Sequence, residues 1–333
     1  MMTLLHNNSL HNKKQRGVAL ITVLMILAIM VTVAATMTGR LTMSLKRTEG
    51  LIFSQKVYWY GQASAELGKK ILDQNFSDSR VVSLDQLWAI PDMVFPLENG
   101  NIGGSMRDLR SCFNVNALQL PNQDGIPAVP LRQFQNLLEA LGVSEYGAQM
   151  IAESTRDWID EDDSNDAALG AEDSFYQARR VPHLTADNLM TDISELRSIQ
   201  GVGPKTYEKI VPYLCAVPSR EQKINVNTVD IEQAEILYAL FENELNISID
   251  TLQNLLQDRP ISGWANVDEF LAMPAFQGLL ISAPLKMQLS VTSDFFQLSG
   301  ITEFADRLLA IDLTFQIKAQ TAKVIRYQSG GLK

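Results

Sequence analysis

The chain has 333 residues, a formal net charge of −10 and a pI near 4.9, with 46% hydrophobic and 20% charged residues. That length accommodates more than one compact unit, and the composition is that of a folded protein rather than a disordered one. The acidic balance argues against a phosphate-backbone binder, which needs clustered cations. Only His183 follows His6 and His11, so a multi-histidine zinc site is excluded.

Lys13, Lys14 and Arg16 lead through Gly17 into residues 18–39, which carry no charge. As a helix this run reaches about 33 Å, enough for a hydrocarbon core of about 30 Å and longer than the h-region of an ordinary signal peptide. Val33-Ala34-Ala35 keeps open an ordinary signal cleaved before Thr36. The flanking cations favour a cytoplasmic N-terminus and a body outside the cytoplasm. Beyond Arg40, apolar residues Leu41, Leu45, Ile52, Val57, Tyr60, Ala63, Leu67 and Ile71 recur at helical intervals, and proline is absent until Pro91. One helix over residues 18–74 is therefore expected, half apolar throughout and half amphipathic.

A basic leader ending in glycine, an apolar helix starting at the next residue and an amphipathic continuation resemble the class III signal of type IV pilins and pseudopilins. The resemblance implies cleavage by prepilin peptidase between Gly17 and Val18, and N-methylation of Val18. Most pilins carry glutamate at the fifth mature position, and here that position is Thr22. A carboxylate in lipid is costly and tolerated when paired; threonine avoids the cost but cannot supply the charge.

Further along, strands are expected near residues 80–84, 106–118, 286–298, 308–319 and 322–329, from β-branched and aromatic enrichment. Residues 120–284 read as mostly helical, as in "LRQFQNLLEALG" and "EYGAQMIAESTRDWID". Helices splitting an αβ unit imply an insertion. Together with "RDWIDEDD", "GAEDSFY", "SELRSIQGV" and "KINVNT", this layout resembles the minor pseudopilin K family of type II secretion. The implied fold is α+β and pilin-like: a long N-terminal helix on an antiparallel sheet, with a large inserted all-α domain containing helix-hairpin-helix-like elements. The expected parts are a leader (1–17), a transmembrane segment (18–39), the periplasmic helix (40–75), the first pilin-like part (76–119), the insert (120–285) and the closing strands (286–333). The resemblance also implies a structural subunit rather than an enzyme, anchored in the inner membrane with a periplasmic body. It would sit at the pseudopilus tip with minor pseudopilins I and J and other pseudopilins, and serve export of folded proteins.

Between Asp157 and Asp173 the chain holds eight acidic residues and no cation. Such crowding repels unless the carboxylates splay into water or gather around a hard cation. The spacing is not that of an EF-hand, and charge alone favours a solvated loop. The family resemblance implies calcium, one or two ions, with Asp160, Asp162, Asp163, Glu172 and Asp173 as expected ligands and Asp157 a weaker candidate.

"SELRSIQGVGPKTYEKI" and "INVNTVDIEQAEIL" also resemble helix-hairpin-helix DNA-binding elements, so a membrane-anchored protein of a DNA-uptake system is a rival. The acidic surroundings favour a tight turn between packed helices, and no nucleic acid is expected. A secreted hydrolase using an acidic pair of the loop is a second rival. Cys112 and Cys215 are expected to pair if the body lies in an oxidising compartment; the alternative is two separate buried thiols.

Overall fold

The computed structural model describes residues 17–97, 100–119, 128–165, 167–304 and 307–330. The basic leader before Gly17 lies outside them, as does Asp166 of the acidic loop. Helix α1 runs Val18–Asp78, four residues past the end expected from periodicity. Two compact units divide between Trp59 and Tyr60, and each is described by itself.

In the first unit, α1 exposes a nearly continuous apolar surface, from Val18 and Leu20 to Met43 and Leu45. It is long and apolar enough to cross a membrane, with a mean hydropathy of 2.8 over its best window. Threonine hydroxyls would be costly in lipid if left unbonded, and here they fold back on the helix. Thr22, Thr32, Thr36, Thr38 and Thr42 each donate to a carbonyl three or four residues earlier, at 2.8–2.9 Å.

In the second unit, the remaining turns of α1 pack on a five-stranded antiparallel sheet of order β1-β2-β7-β8-β9. The strands are β1 (Met93–Leu97), β2 (Gly100–Asp108), β7 (Phe295–Phe304), β8 (Arg307–Lys318) and β9 (Thr321–Gly330). Leu72 and Phe76 of α1 meet Trp88, Met106, Phe296, Leu313 and Phe315 in one core. The Phe296 ring takes edges from Phe76 at 5.9 Å and Trp88 at 5.1 Å, a geometry worth about 0.5–1.5 kcal/mol per pair beyond area burial. Gly61 and Gly68, two turns apart, let the helix come down on the sheet. A Cβ at Gly61 would collide with the Tyr327 hydroxyl, and one at Gly68 would stand 2.9 Å from Phe315 Cζ.

Three strand expectations fail in whole or in part. The segment 286–298 breaks into the end of a short helix, Ala283–Met287, a two-residue bridge at Leu289–Ser290 and a strand that starts only at Phe295. Residues 80–84 form no strand, and the segment 106–118 is a strand only to Asp108. The chain then turns through residues 109–112 into β3 (Phe113–Asn114) and a 3-10 turn, Val115–Gln119. Asp108 explains the break. Its buried carboxylate accepts from Arg110 N (2.7 Å), Thr228 Oγ1 (2.7 Å), Asn225 Nδ2 (3.0 Å) and Ser293 Oγ, so the strand ends on a polar knot joining sheet to insert. Burial pushes its pKa up against these four donors.

The insert holds α2 (Val129–Ala140), α3 (Glu145–Ile159), α4 (Asp173–Gln177), α5 (Pro204–Ile210), α6 (Glu235–Phe241), α7 (Ile249–Gln257), α8 (Val267–Leu271) and α9 (Ala283–Met287). Leu131, Phe134, Leu137 and Leu138 on α2, with Leu252, Leu255 and Leu256 on α7, present the helical stripe that a shared core requires. Two parallel bridges tie it together: β3 with β4 (Leu214–Cys215), and β5 (Ile224–Asn225) with β6 (Leu289–Ser290). Each runs into the same tripeptide, Asn114-Val115-Asn116 and Asn225-Val226-Asn227. In both, the first asparagine accepts from the N–H of the second (3.2 and 3.1 Å). The second then clamps a distant backbone, Met190 in one half and Trp264 in the other, accepting at 2.8 Å and donating at 3.0 Å. The insert is thus one device used twice. Cys112 and Cys215 form a disulfide beside the first bridge, with Cα atoms 5.7 Å apart.

Candidate metal centre

Helix α3 starts at an N-cap, Ser144, whose hydroxyl accepts from Gly147 N. Its inward face carries Ala148, Ile151, Ala152 and Ile159 into the core. The opposite side of the helix, buried as well, carries two acids. Glu153 is used internally, accepting from Gln149 Nε2 (2.7 Å) and from Leu169 N (2.8 Å), which pulls the returning loop onto the helix. One turn later, Asp157 is wholly buried.

The loop closes through Asn165 Nδ2, which donates to Gly170 O at 2.9 Å. Gly170 lies so close to Asp157 that a Cβ there would overlap the carboxylate. The chain then reaches Glu172, N-cap of α4 and 2% exposed. A carboxylate at a helix start ordinarily accepts from first-turn N–H groups. That of Glu172 does not, and neither of its buried oxygens has a hydrogen-bond partner. It lies instead with Asp157 and Asp160, one oxygen of each falling within 4.8 Å of the others.

Three carboxylates at this range resist ionising together. Burial first, then the charges of Asp157, Asp160, Asp187 and Asp162, push the Glu172 pKa to about 8. A hard divalent cation would remove that penalty. The donors fit one: all are carboxylate oxygens, both oxygens of Glu172 are buried without partners, and Gly170 leaves the space that a side chain would fill. Aromatic packing fixes both ends of the loop. Trp158 meets Tyr176 edge-on at 5.3 Å, His183 leans on both rings, and Arg179 covers Phe175 and Tyr176.

Of the expected ligands, Asp160 and Glu172 lie in the cluster, and Asp157, the weaker candidate, is the third member. Asp162 and Asp163 stand exposed on the loop, and Asp162 Oδ1 accepts from Ser164 N. The Asp173 carboxylate accepts from Thr185 N (2.9 Å) and Thr185 Oγ1 (2.8 Å), bonds that lower its pKa. The charge run marked the loop, but only the position on α3 singles out Asp157, four residues beyond Glu153 on one helix face.

The hairpin-like stretch has a packing role. Ile193–Ser198 is a 3-10 turn, and Gly201 takes φ +84° where a Cβ would lie 2.9 Å from Ile151 Cγ1. "INVNT" is the buried knot already described: Asn225 and Asn227 are fully buried and bond to protein groups. The parallel between its asparagines and those of "FNVNA" is visible in the sequence.

Two family profiles, both described as type II secretion system protein K, match residues 111–219 and 224–292, the two halves that begin around the paired tripeptides. Type II secretion system protein K of Aeromonas hydrophila is 36% identical over 333 residues, covering 96% of this chain and 98% of the relative. The protein of that name from Pectobacterium carotovorum subsp. carotovorum is 35% identical, with coverage of 96% and 98%. Among solved structures, a chain of the GspK-GspI-GspJ complex from the enterotoxigenic Escherichia coli type 2 secretion system superposes with a TM-score of 0.78. It is 35% identical, and the match covers 86% of this chain and 100% of that one.

Proposed function

Because the chain belongs to the type II secretion system protein K family, we propose that it works as a structural pseudopilin at the tip of a periplasmic pseudopilus, serving export of folded proteins. The observation that carries this is the architecture itself. A pilin-like helix and sheet are interrupted between β2 and β7 by a large helical block, and the solved relative with this architecture is in complex with two further proteins of its system. By extension, minor pseudopilins I and J of the same system are this chain's partners. An insert this large would obstruct subunits stacked above it, which favours the tip.

The apolar half of α1 is the inner-membrane anchor, N-terminus cytoplasmic and body periplasmic. Prepilin peptidase cuts between Gly17 and Val18, and Val18 is N-methylated. At Thr22 the hydroxyl donates to Ala19 O at 2.9 Å, so it enters a helix bundle satisfied but offers no charge to a neighbour's terminal amine. Calcium is held by Asp157, Asp160 and Glu172, with Asp162 and Asp163 near enough in sequence to add oxygens; it supplies charge neutralisation that fixes the acidic loop.

The test is co-expression of the full chain with minor pseudopilins I and J of one secretion system, purified from membranes. A stable ternary complex containing chain that begins at N-methyl-Val18 is expected. A chain that purifies alone while I and J still pair refutes the tip reading. A mature terminus at Thr36 or Met1 refutes the pilin-type processing.

A further inference from the structure

Where the sheet meets the insert, a cleft of about 440 Å3 opens between the end of β2, the Leu87–Ala89 turn and the segment following β5. Arg107 of β2 and Arg259, just beyond α7, both line it. Arg107 spends Nη2 on Pro212 O (2.9 Å), and Arg259 spends Nη1 on Val229 O (2.7 Å) and Val226 O (3.4 Å). Among the described residues neither guanidinium has a carboxylate within ion-pairing distance. Their other N–H groups have no partner among the described residues, and they are not sealed from solvent.

Half-buried arginines ordinarily take a carboxylate, because the planar fork matches it and partial desolvation makes the pairing strong. Burial lowers the pKa of both groups, against the pull of Asp230, so both are held at an electrostatic cost. The nearby acids do not repay it. Asp108 has its oxygens filled by four donors, and Asp230 turns Oδ1 to Glu232 N at 2.9 Å. Apolar groups stand beside the guanidiniums, Leu84, 45% exposed, with Ala89 and Ile231, and the rest of the lining is mixed, with Ser111, Thr228, Asp230 and Gln233 among it. The volume lies in the range of about 300–1,000 Å3 typical of organic-ligand sites, several times that of a lone inorganic anion.

We propose that this cleft is a docking site for a peptide segment of another protein that carries a carboxylate beside an apolar side chain, the carboxylate held by Arg107 and Arg259 and the apolar group laid against Leu84 and Ile231. A segment bound there touches both the sheet and the insert. The proposal rests on these residues alone, independently of tip placement and of calcium.

The test uses the full chain in detergent micelles with 15N-labelled arginine. The probes are acetyl-Leu-Glu-Leu-amide, its glutamine counterpart and inorganic phosphate, and the readout is the guanidinium resonances, assigned with Arg107→Lys and Arg259→Lys. The acidic peptide is expected to shift both signals saturably and to bind at least about tenfold more tightly than its glutamine counterpart. Arg107→Met and Arg259→Met should each weaken it by a similar factor. No shift at about 10 mM peptide, a typical upper limit for a specific weak site, overturns the proposal. So does equal or tighter binding of phosphate, which would mark a free-anion site, and so does unchanged binding in both methionine variants. If those variants fail to fold, the wild-type comparison of the two peptides decides.

Discussion

Replacing Glu172 by glutamine removes one charge from the acidic cluster at constant shape, and the metal-free and calcium-loaded proteins should respond in opposite directions. Without metal, burial and the surrounding acids hold the Glu172 pKa at about 8, against 4.5 for the free side chain. A folded-state value above the unfolded one means stability is fully present below pH 4.5 and is lost as pH rises toward 8. At pH 7 the loss amounts to about 3 kcal/mol. Glu172→Gln escapes that loss, so the metal-free variant should be more stable than wild type at pH 7, and less sensitive to pH between about 5 and 8. Calcium reverses the order. An ion present at about 100 times its Kd stabilises the folded state by about 2.7 kcal/mol, which raises the melting temperature by about 5–10 °C for a body of this size. Thermal unfolding of the full chain in detergent, with EGTA and then with about 10 mM calcium, a concentration that suits the weak extracellular class of sites, reads both arms. An equal calcium shift in variant and wild type, or no shift in wild type, refutes the assignment of these three carboxylates.

Breaking the Cys112–Cys215 bridge, which closes a separation of 103 residues, should cost about 2–5 kcal/mol; peptide mapping without reductant should find the linked pair, and a doubly serine-substituted chain should melt earlier. Gly61→Ala drives a methyl into the Tyr327 hydroxyl and should destabilise the body by about 1–3 kcal/mol, with Tyr327→Phe in the same chain restoring most of it. Retained stability in Gly61→Ala alone would show that helix and sheet do not approach this closely. Asp192 ties the insert to β9 through Arg326. Burial works to raise its pKa, but hydrogen bonds from Ser194 and Arg326 outweigh it and lower the value to about 2. That stability is present above pH 3.8 and is lost as pH falls toward 2, about 2 kcal/mol in all; acid unfolding of Asp192→Asn should lack this component.

Where structure follows from near neighbours along the chain, the sequence was enough. The uncharged run 18–39 announces a helix long and apolar enough to cross a membrane because hydropathy is additive along a helix, and the last two strands fall within a residue of their expected limits. The disulfide partners were readable because only two cysteines exist. Of β2 only residues 106–108 fall in an expected strand; its glycines, Gly100, Gly103 and Gly104, carry no strand pattern, yet they sit in register against Phe304, Ile301 and Gly300 of β7 some 200 residues away. No local pattern carries that partner.

The acidic loop divides the same way. Eight carboxylates without a cation in between mark a place where charge must be either dissolved or gathered, and that much is a property of composition. Which of them gather depends on the loop's return to α3, fastened by Glu153 to Leu169 N and by Asn165 to Gly170 O. That return brings Glu172 against Asp157 and Asp160 and leaves Asp162 and Asp163 in water. Charge is written residue by residue, but desolvation is decided by what the folded chain lays over each residue. The sequence therefore located the loop, and tertiary contacts alone selected the three carboxylates within it.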